Sequence, residues 1–311
     1  MDEDKKKRVS QRIIAVLLSI LQVVAFVVGY FAVCLVVFFV FSLFGFDYDA
    51  NPEIGSMISE VVLLIALFAF LFIPKNPYKK IVKLKKAKPV MYLLAGVVSL
   101  GMLGFTNVYC GIITYLSLSN EAIGKLIEEY SNQMDSQVSE PSYLKVLLYA
   151  VVVIVAVPVF EELLFRGMIL GSFRKSMPQG IAIVLAALSF GFMHSGAVQI
   201  IYASICGIAL GCVYAFTEDI RCSILAHAIF NFFGTTVTSI LLDNKTFGIS
   251  DGVSEAIQMQ IFMVEISFIL PAIICLVIMY SLYNSNAKNL KIKQEHDVAI
   301  ENIEGDALIS E

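Results

Sequence analysis

Six residues of this chain are ionisable or strongly polar where their neighbours are apolar enough to cross a bilayer. They are Glu161, Glu162 and Arg166 in Glu161-Glu162-Leu163-Leu164-Phe165-Arg166, His194 in Phe190-Gly191-Phe192-Met193-His194, and His227 and Asn231 in His227-Ala228-Ile229-Phe230-Asn231. A charge in a membrane interior costs several kcal/mol and persists only where it is paired, hydrated in a cavity or used. Carboxylates and imidazoles are the usual carriers of protons in general acid–base catalysis. Histidine and asparagine can also donate hydrogen bonds to a developing oxyanion. Their placement on three consecutive apolar segments points to one assembled site.

Helical spacing separates roles within the first motif. Glu162 and Arg166 are four apart and share a face, as an ion pair on one helix does, and in a membrane interior that pairing lowers the cost of both charges. Glu161 lies about 100° round the helix from Glu162, away from Arg166, and stays the carboxylate free for acid–base work. Pro158 removes a backbone hydrogen bond three residues earlier and can kink the helix, opening room for water. The other motifs share an i,i+4 geometry: Phe190 stacks on the face of His194, and His227 shares a face with Asn231.

Two chemistries suit this set. In one, Glu161, assisted by His194, deprotonates a water that attacks a peptide carbonyl, while His227 and Asn231 donate to the oxyanion at roughly 3–4 kcal/mol per donor. In the other, Glu161, His194 and His227 bind Zn²⁺, which activates the water. The sequence favours the metal-free version, because the H-E-x-x-H spacing is absent and no cysteine or aspartate completes a fourth position. A different class of function also fits the charges: a proton-coupled transporter, with Glu161, His194 and His227 as a relay that Glu265 could extend. A third is a peptide-binding immunity protein without catalysis.

In order, E-E-x-x-x-R, F-x-x-x-H and H-x-x-x-N resemble the motifs of the CAAX-processing and bacteriocin-processing (CPBP) intramembrane endopeptidases. The resemblance covers roughly residues 145–240. It implies a helical core with its site in a cavity open to membrane and cytosol, and hydrolysis of a peptide bond in a membrane-associated, prenylated or bacteriocin-like substrate. It also implies Glu161 as the water-activating base beside His194, His227 and Asn231 as oxyanion ligands, and Glu162 and Arg166 as supporting charges.

The elements that must position these residues are membrane helices. The chain is 58% hydrophobic and 15% charged over 311 residues, with a mean hydropathy of +0.82, which fits an all-α polytopic membrane protein and excludes a soluble one. The net charge of −4 says little, because charges are segregated by loop. A helix needs about 20 apolar residues to span the hydrocarbon. Eight runs approach that: 13–45, 57–73, 90–118, 143–172, 179–195, 198–217, 222–242 and 257–283. They divide the chain into three N-terminal spans with a basic loop (1–142), a motif-bearing core (143–242), a last span (243–284) and a polar cytoplasmic tail expected to be disordered (285–311). Lysines 75–88 and the basic N-terminus put both termini in the cytoplasm, most simply that of a bacterial cell. The expected partners are membrane lipid and a membrane-associated peptide, with no nucleic acid. None of the six cysteines has C-x-x-C spacing, and all lie in or beside apolar runs, as small packing side chains do. Ala203, Gly207 and Gly211 form a small-residue face that lets a neighbouring helix approach closely.

One expectation sits uneasily with a single site. Counted from cytoplasmic helix ends at ~1.5 Å per residue, Glu161 lies roughly 18 Å deep, His194 about 22 Å, Asn231 about 14 Å and His227 about 8 Å.

Overall fold

A computed structural model of the chain describes residues 3–48, 51–82, 84–135, 143–234 and 250–309. The described residues form helices joined by short turns, with one isolated antiparallel bridge between Leu84 and Asp219. Apart from a short helical turn at Tyr78–Ile81, the helices are α1 (Glu3–Leu43), α2 (Pro52–Phe72), α3 (Pro89–Ser117) and α4 (Glu121–Asp135), followed by a composite rod, α5 (143–173). After it come α6 (Gln179–Phe192), α7 (Ala197–Thr217), α8 (Ile220–Asn231), α9 (Asp251–Ser267) and α10 (Ile269–Ile309).

Among the described residues, six helical stretches are long and apolar enough to cross a membrane: Val9–Leu43, Ile54–Phe72, Pro89–Ser117, Leu147–Phe173, Ala197–Thr217 and Gly252–Leu290. The protein is an integral membrane protein. Among the described residues, the helices at the expected fifth and seventh spans are shorter, Gln179–Phe192 and Ile220–Gly234, so the count of eight is not established. The last eight residues of the expected seventh span, 235–242, lie outside the described residues. The last helix runs on to Ile309, through the tail that composition marks as unstructured.

Lipid tails are as apolar as leucine, so packing between these helices rests on close van der Waals fit. One buried cluster joins α5 (Phe160, Phe165, Ile169) to α2 (Leu63, Leu67) and α6 (Ile183, Ala186). A second joins α3 (Ala95, Val98) to α7 (Leu210, Val213), α8 (Cys222, Ala226) and α10 (Cys275, Met279). The cysteines carry free thiols, three of them buried in this packing. Glycines allow the close crossing of α6 and α7. A Cβ on Gly207 would lie 3.2 Å from Ala187, and one on Gly211 would lie 3.0 Å from Ile183. The small-residue face of α7 is therefore the seat of α6.

The rod α5 is not a regular helix. It runs as α over Tyr143–Val151, π over Val152–Ala156, α over Val157–Glu162, π over Leu163–Leu170, and α over Gly171–Phe173. Pro158 accounts for the first change. Its missing N–H breaks the i→i−4 ladder, and the backbone answers with a wider turn in which the Val157 N–H donates to the Val152 carbonyl. The proline thus produces a π stretch where a simple kink was expected. The two glutamates sit between two such stretches, the kind of local irregularity that occurs often at functional sites.

The helix that carries His227 starts at a buried cap. The Asp219 side chain is fully buried and accepts from the Arg221 N–H at 3.2 Å, closing the N-terminus of α8. It also accepts from Arg221 Nε and Nη2 at 2.8 Å each, from the Ala87 N–H at 3.0 Å and from the Tyr92 hydroxyl at 2.6 Å. One carboxylate thereby ties the lysine-rich loop and α3 to α8. Burial pushes its pKa up, but the hydrogen bonds from Arg221, Tyr92 and Ala87 prevail and hold it down at about 2. A depressed carboxylate contributes stability above its unfolded pKa, near 3.9, and loses it as pH falls through the folded value. Asp219→Asn should therefore lower stability at pH 7 by on the order of 2 kcal/mol. Thermal unfolding in detergent micelles should show the gap between wild type and variant closing from pH 4 to pH 2. A gap that stays constant over that range would contradict this linkage.

Candidate active site

Glu162 is the centre of the buried charges. Its Oε1 lies 2.9 Å from Arg166 Nη1, with both side chains almost wholly buried. The same oxygen lies 2.9 Å from His227 Nδ1. The i,i+4 pairing expected from spacing is present, and it extends across to α8. A carboxylate is an acceptor, so Nδ1 carries the hydrogen and His227 presents Nε2 on its other side. Nε2 in turn lies 3.5 Å from Glu161 Oε2. The order in space is Arg166, Glu162, His227, Glu161. Glu161 is the most accessible carboxylate of the pair, its side chain 18% exposed.

Arg166 is fixed from two further directions. Its Nη2 donates to the Gly207 carbonyl at 3.2 Å, and its guanidinium lies 4.5 Å over the Phe190 ring. Phe190 is a hub: its ring also meets His194 edge-on at 4.7 Å and His227 at 5.9 Å. Apolar packing and motif geometry meet in this one side chain.

His194 and Asn231 stand slightly apart from the carboxylates. His194 lies just past the end of α6, with Nδ1 donating to the Phe190 carbonyl at 2.9 Å, which leaves Nε2 as the nitrogen free for chemistry. Asn231 Nδ2 donates to the Val153 carbonyl at 2.9 Å, inside the first π stretch. That bond uses one of its two amide hydrogens and leaves the other. The structure thus brings Glu161, Glu162, Arg166 and His227 into direct contact, connects His194 through Phe190, and connects Asn231 through the backbone of α5.

The spread of depths counted from helix ends does not keep Glu161 and His227 apart: His227 Nε2 and Glu161 Oε2 lie 3.5 Å from each other.

The zinc alternative fares less well. Among the described residues no three side chains of His, Cys, Asp and Glu come together closely enough to hold a metal ion. Glu161 and His227 form a pair of donors, while the polar contact of His194 is with a carbonyl.

Sequence reasoning missed Glu60. This residue of α2 is partly buried, and its Oε2 is enclosed without a hydrogen-bond partner. The signal was available, since a lone carboxylate in the apolar run Met57–Phe72 meets the criterion that singled out Glu161. The Asp219 clamp gave no such signal, because its partners Ala87 and Tyr92 are remote in sequence.

Comparison with known proteins bears on the same segment. Residues 143–233 match a model of the Rce1-like family, described as type II CAAX prenyl endopeptidase Rce1-like. The matched stretch contains all three motifs. No curated protein and no solved structure matches the chain.

Proposed function

We propose, from the premise that this membrane protein is a peptide hydrolase with an Rce1-like endopeptidase domain at residues 143–233, that it cleaves membrane-associated peptides with a water activated by Glu161. The observation that carries the reading is the order Arg166, Glu162, His227, Glu161. Glu162, neutralised by Arg166, orients His227, so that Nε2 and Glu161 Oε2 face a common point. Glu161 takes the proton of the attacking water, with His194 Nε2 assisting, and passes it to the leaving amine. His227, protonated on both nitrogens, keeps Nδ1–H on Glu162 and offers Nε2–H to the oxyanion. The second amide hydrogen of Asn231 completes the hole. In a water-poor interior such fixed donors act with little screening.

The substrate class follows from the same setting. A site inside apolar helices receives its peptide from the membrane, and the family description supports a prenylated chain end; a bacteriocin-like peptide is the second candidate. Carboxylates and imidazoles of the transporter reading would have to lie in series across the bilayer, whereas Glu161 and His227 share one spot.

Asn231→Ala tests the assignment. Loss of one oxyanion donor lowers turnover by about 10²–10³-fold, with KM for a membrane-anchored peptide substrate little changed. A rise in KM at unchanged kcat would move Asn231 from the oxyanion to substrate binding.

A further inference from the structure

The carboxylate of Glu265 belongs to another part of the molecule. It lies within the apolar stretch Gly252–Leu290, only 4% exposed, and Asn107 on α3 donates its amide to Oε2. Its Oε1 is enclosed and has no hydrogen-bond partner. A half-satisfied carboxylate at membrane depth marks a site by default.

Its position has local causes. Pro271 lacks the N–H that would continue the ladder, and the helix breaks at Phe268, whose N–H turns back to the Glu265 carbonyl at 3.0 Å. A Cβ on Gly104 would lie 2.2 Å from that same carbonyl oxygen, so α3 and α9 touch backbone to backbone here. One turn further on, at Asn107, a cavity of about 720 Å³ opens between them, within the usual range for ligand sites of roughly 300–1,000 Å³.

The lining is selective in its chemistry. Glu255, Gln258, Phe262 and Glu265 fall on one face of α9, running from the exposed Glu255 to the buried Glu265. That run of ten residues corresponds to a depth of ~15 Å. Tyr130, Tyr202 and Phe230 supply aromatic walls from three other helices, with Tyr130 and Tyr202 edge to face at 6.3 Å. Among the described residues, no lysine or arginine lines the cavity. Carboxylates with aromatic rings and no fixed cation select a positively charged group. The size and the aromatic walls suit an organic cation, and the described residues offer no three-donor cage for a metal ion.

We propose that this cavity is a second, non-catalytic site that binds an organic ammonium group, with the free oxygen of Glu265 accepting its hydrogen bond and Glu255 drawing it in at the mouth. Glu161, His194 and His227 do not line it, so the site is separate from the peptidase chemistry.

The test is thermal unfolding of the purified full chain in detergent micelles, titrated with n-butylammonium chloride against sodium chloride at matched ionic strength. Wild type should show a saturable rise in Tm with the amine alone. Glu265→Gln, which keeps shape and removes charge, should abolish it. Glu255→Lys, at an exposed position, should weaken the apparent affinity at least tenfold by placing a tethered ammonium at the mouth, and it decides the matter if Glu265→Gln does not fold. A wild-type response no different from the salt control, or a Glu255→Lys response equal to wild type, would overturn the proposal.

Discussion

Glu161→Gln should abolish peptide cleavage, by about 10³-fold or more, while the protein still inserts and folds. Glutamine matches the carboxylate in size but cannot accept a proton, so what is lost is the base and not the packing. General-base loss alone accounts for about 10²–10⁴-fold. The structure gives a reason to expect little damage to folding. Glu161 is the outer member of the charge series, partly exposed, and its nearest polar partner, His227, is anchored from the other side by Glu162. Cleavage of a membrane-anchored peptide in proteoliposomes, beside circular dichroism of the same preparation, checks both halves. Near-normal turnover would remove Glu161 from the mechanism.

Arg166→Met should do the opposite, unfolding the protein more than it touches the chemistry. Arg166 neutralises Glu162 at 2.9 Å with both side chains out of solvent. Removing one partner of such a pair costs about 3–5 kcal/mol, because it leaves the other charge buried and uncompensated. Glu162→Gln should be destabilising for the same reason and should also slacken His227, which loses its carboxylate acceptor. The double variant Glu162→Gln/Arg166→Met removes both charges, and it should recover most of the stability without recovering activity. Thermal unfolding and cleavage measured together separate these outcomes. A double variant as unstable as the sum of its parts would mean that packing, not charge, holds this region.

The motif-bearing segment was legible because its charges stand out against apolar surroundings. Glu161, Arg166, His194 and His227 are conspicuous wherever a membrane helix is expected, and the i,i+4 spacing of Glu162 and Arg166 translates directly into contact. The resemblance to intramembrane endopeptidases on those residues agrees with the family match over 143–233. The six long helices were legible from apolar length alone. Interhelical contacts were not. The bond between Glu162 and His227 joins residues 65 apart, and periodicity within one helix carries no information about which neighbour completes a carboxylate. The two π stretches escaped notice because hydropathy is blind to backbone register, although Pro158 pointed to the first. The end of α6 falls short of the expected span because apolar composition continues past the point where that helix stops. Glu60 and Asp219 show a simpler lapse and a harder one. The first is a lone charge in an apolar run, whereas the second draws its meaning from residues on a distant loop.

In the proposed mechanism Glu161 activates the hydrolytic water without a metal. Protein purified in active form, analysed for bound metals and assayed for peptide cleavage in strong chelator, should show full cleavage with no stoichiometric metal. Zinc bound one to one, with activity that disappears on chelation and returns on its readdition, would contradict it.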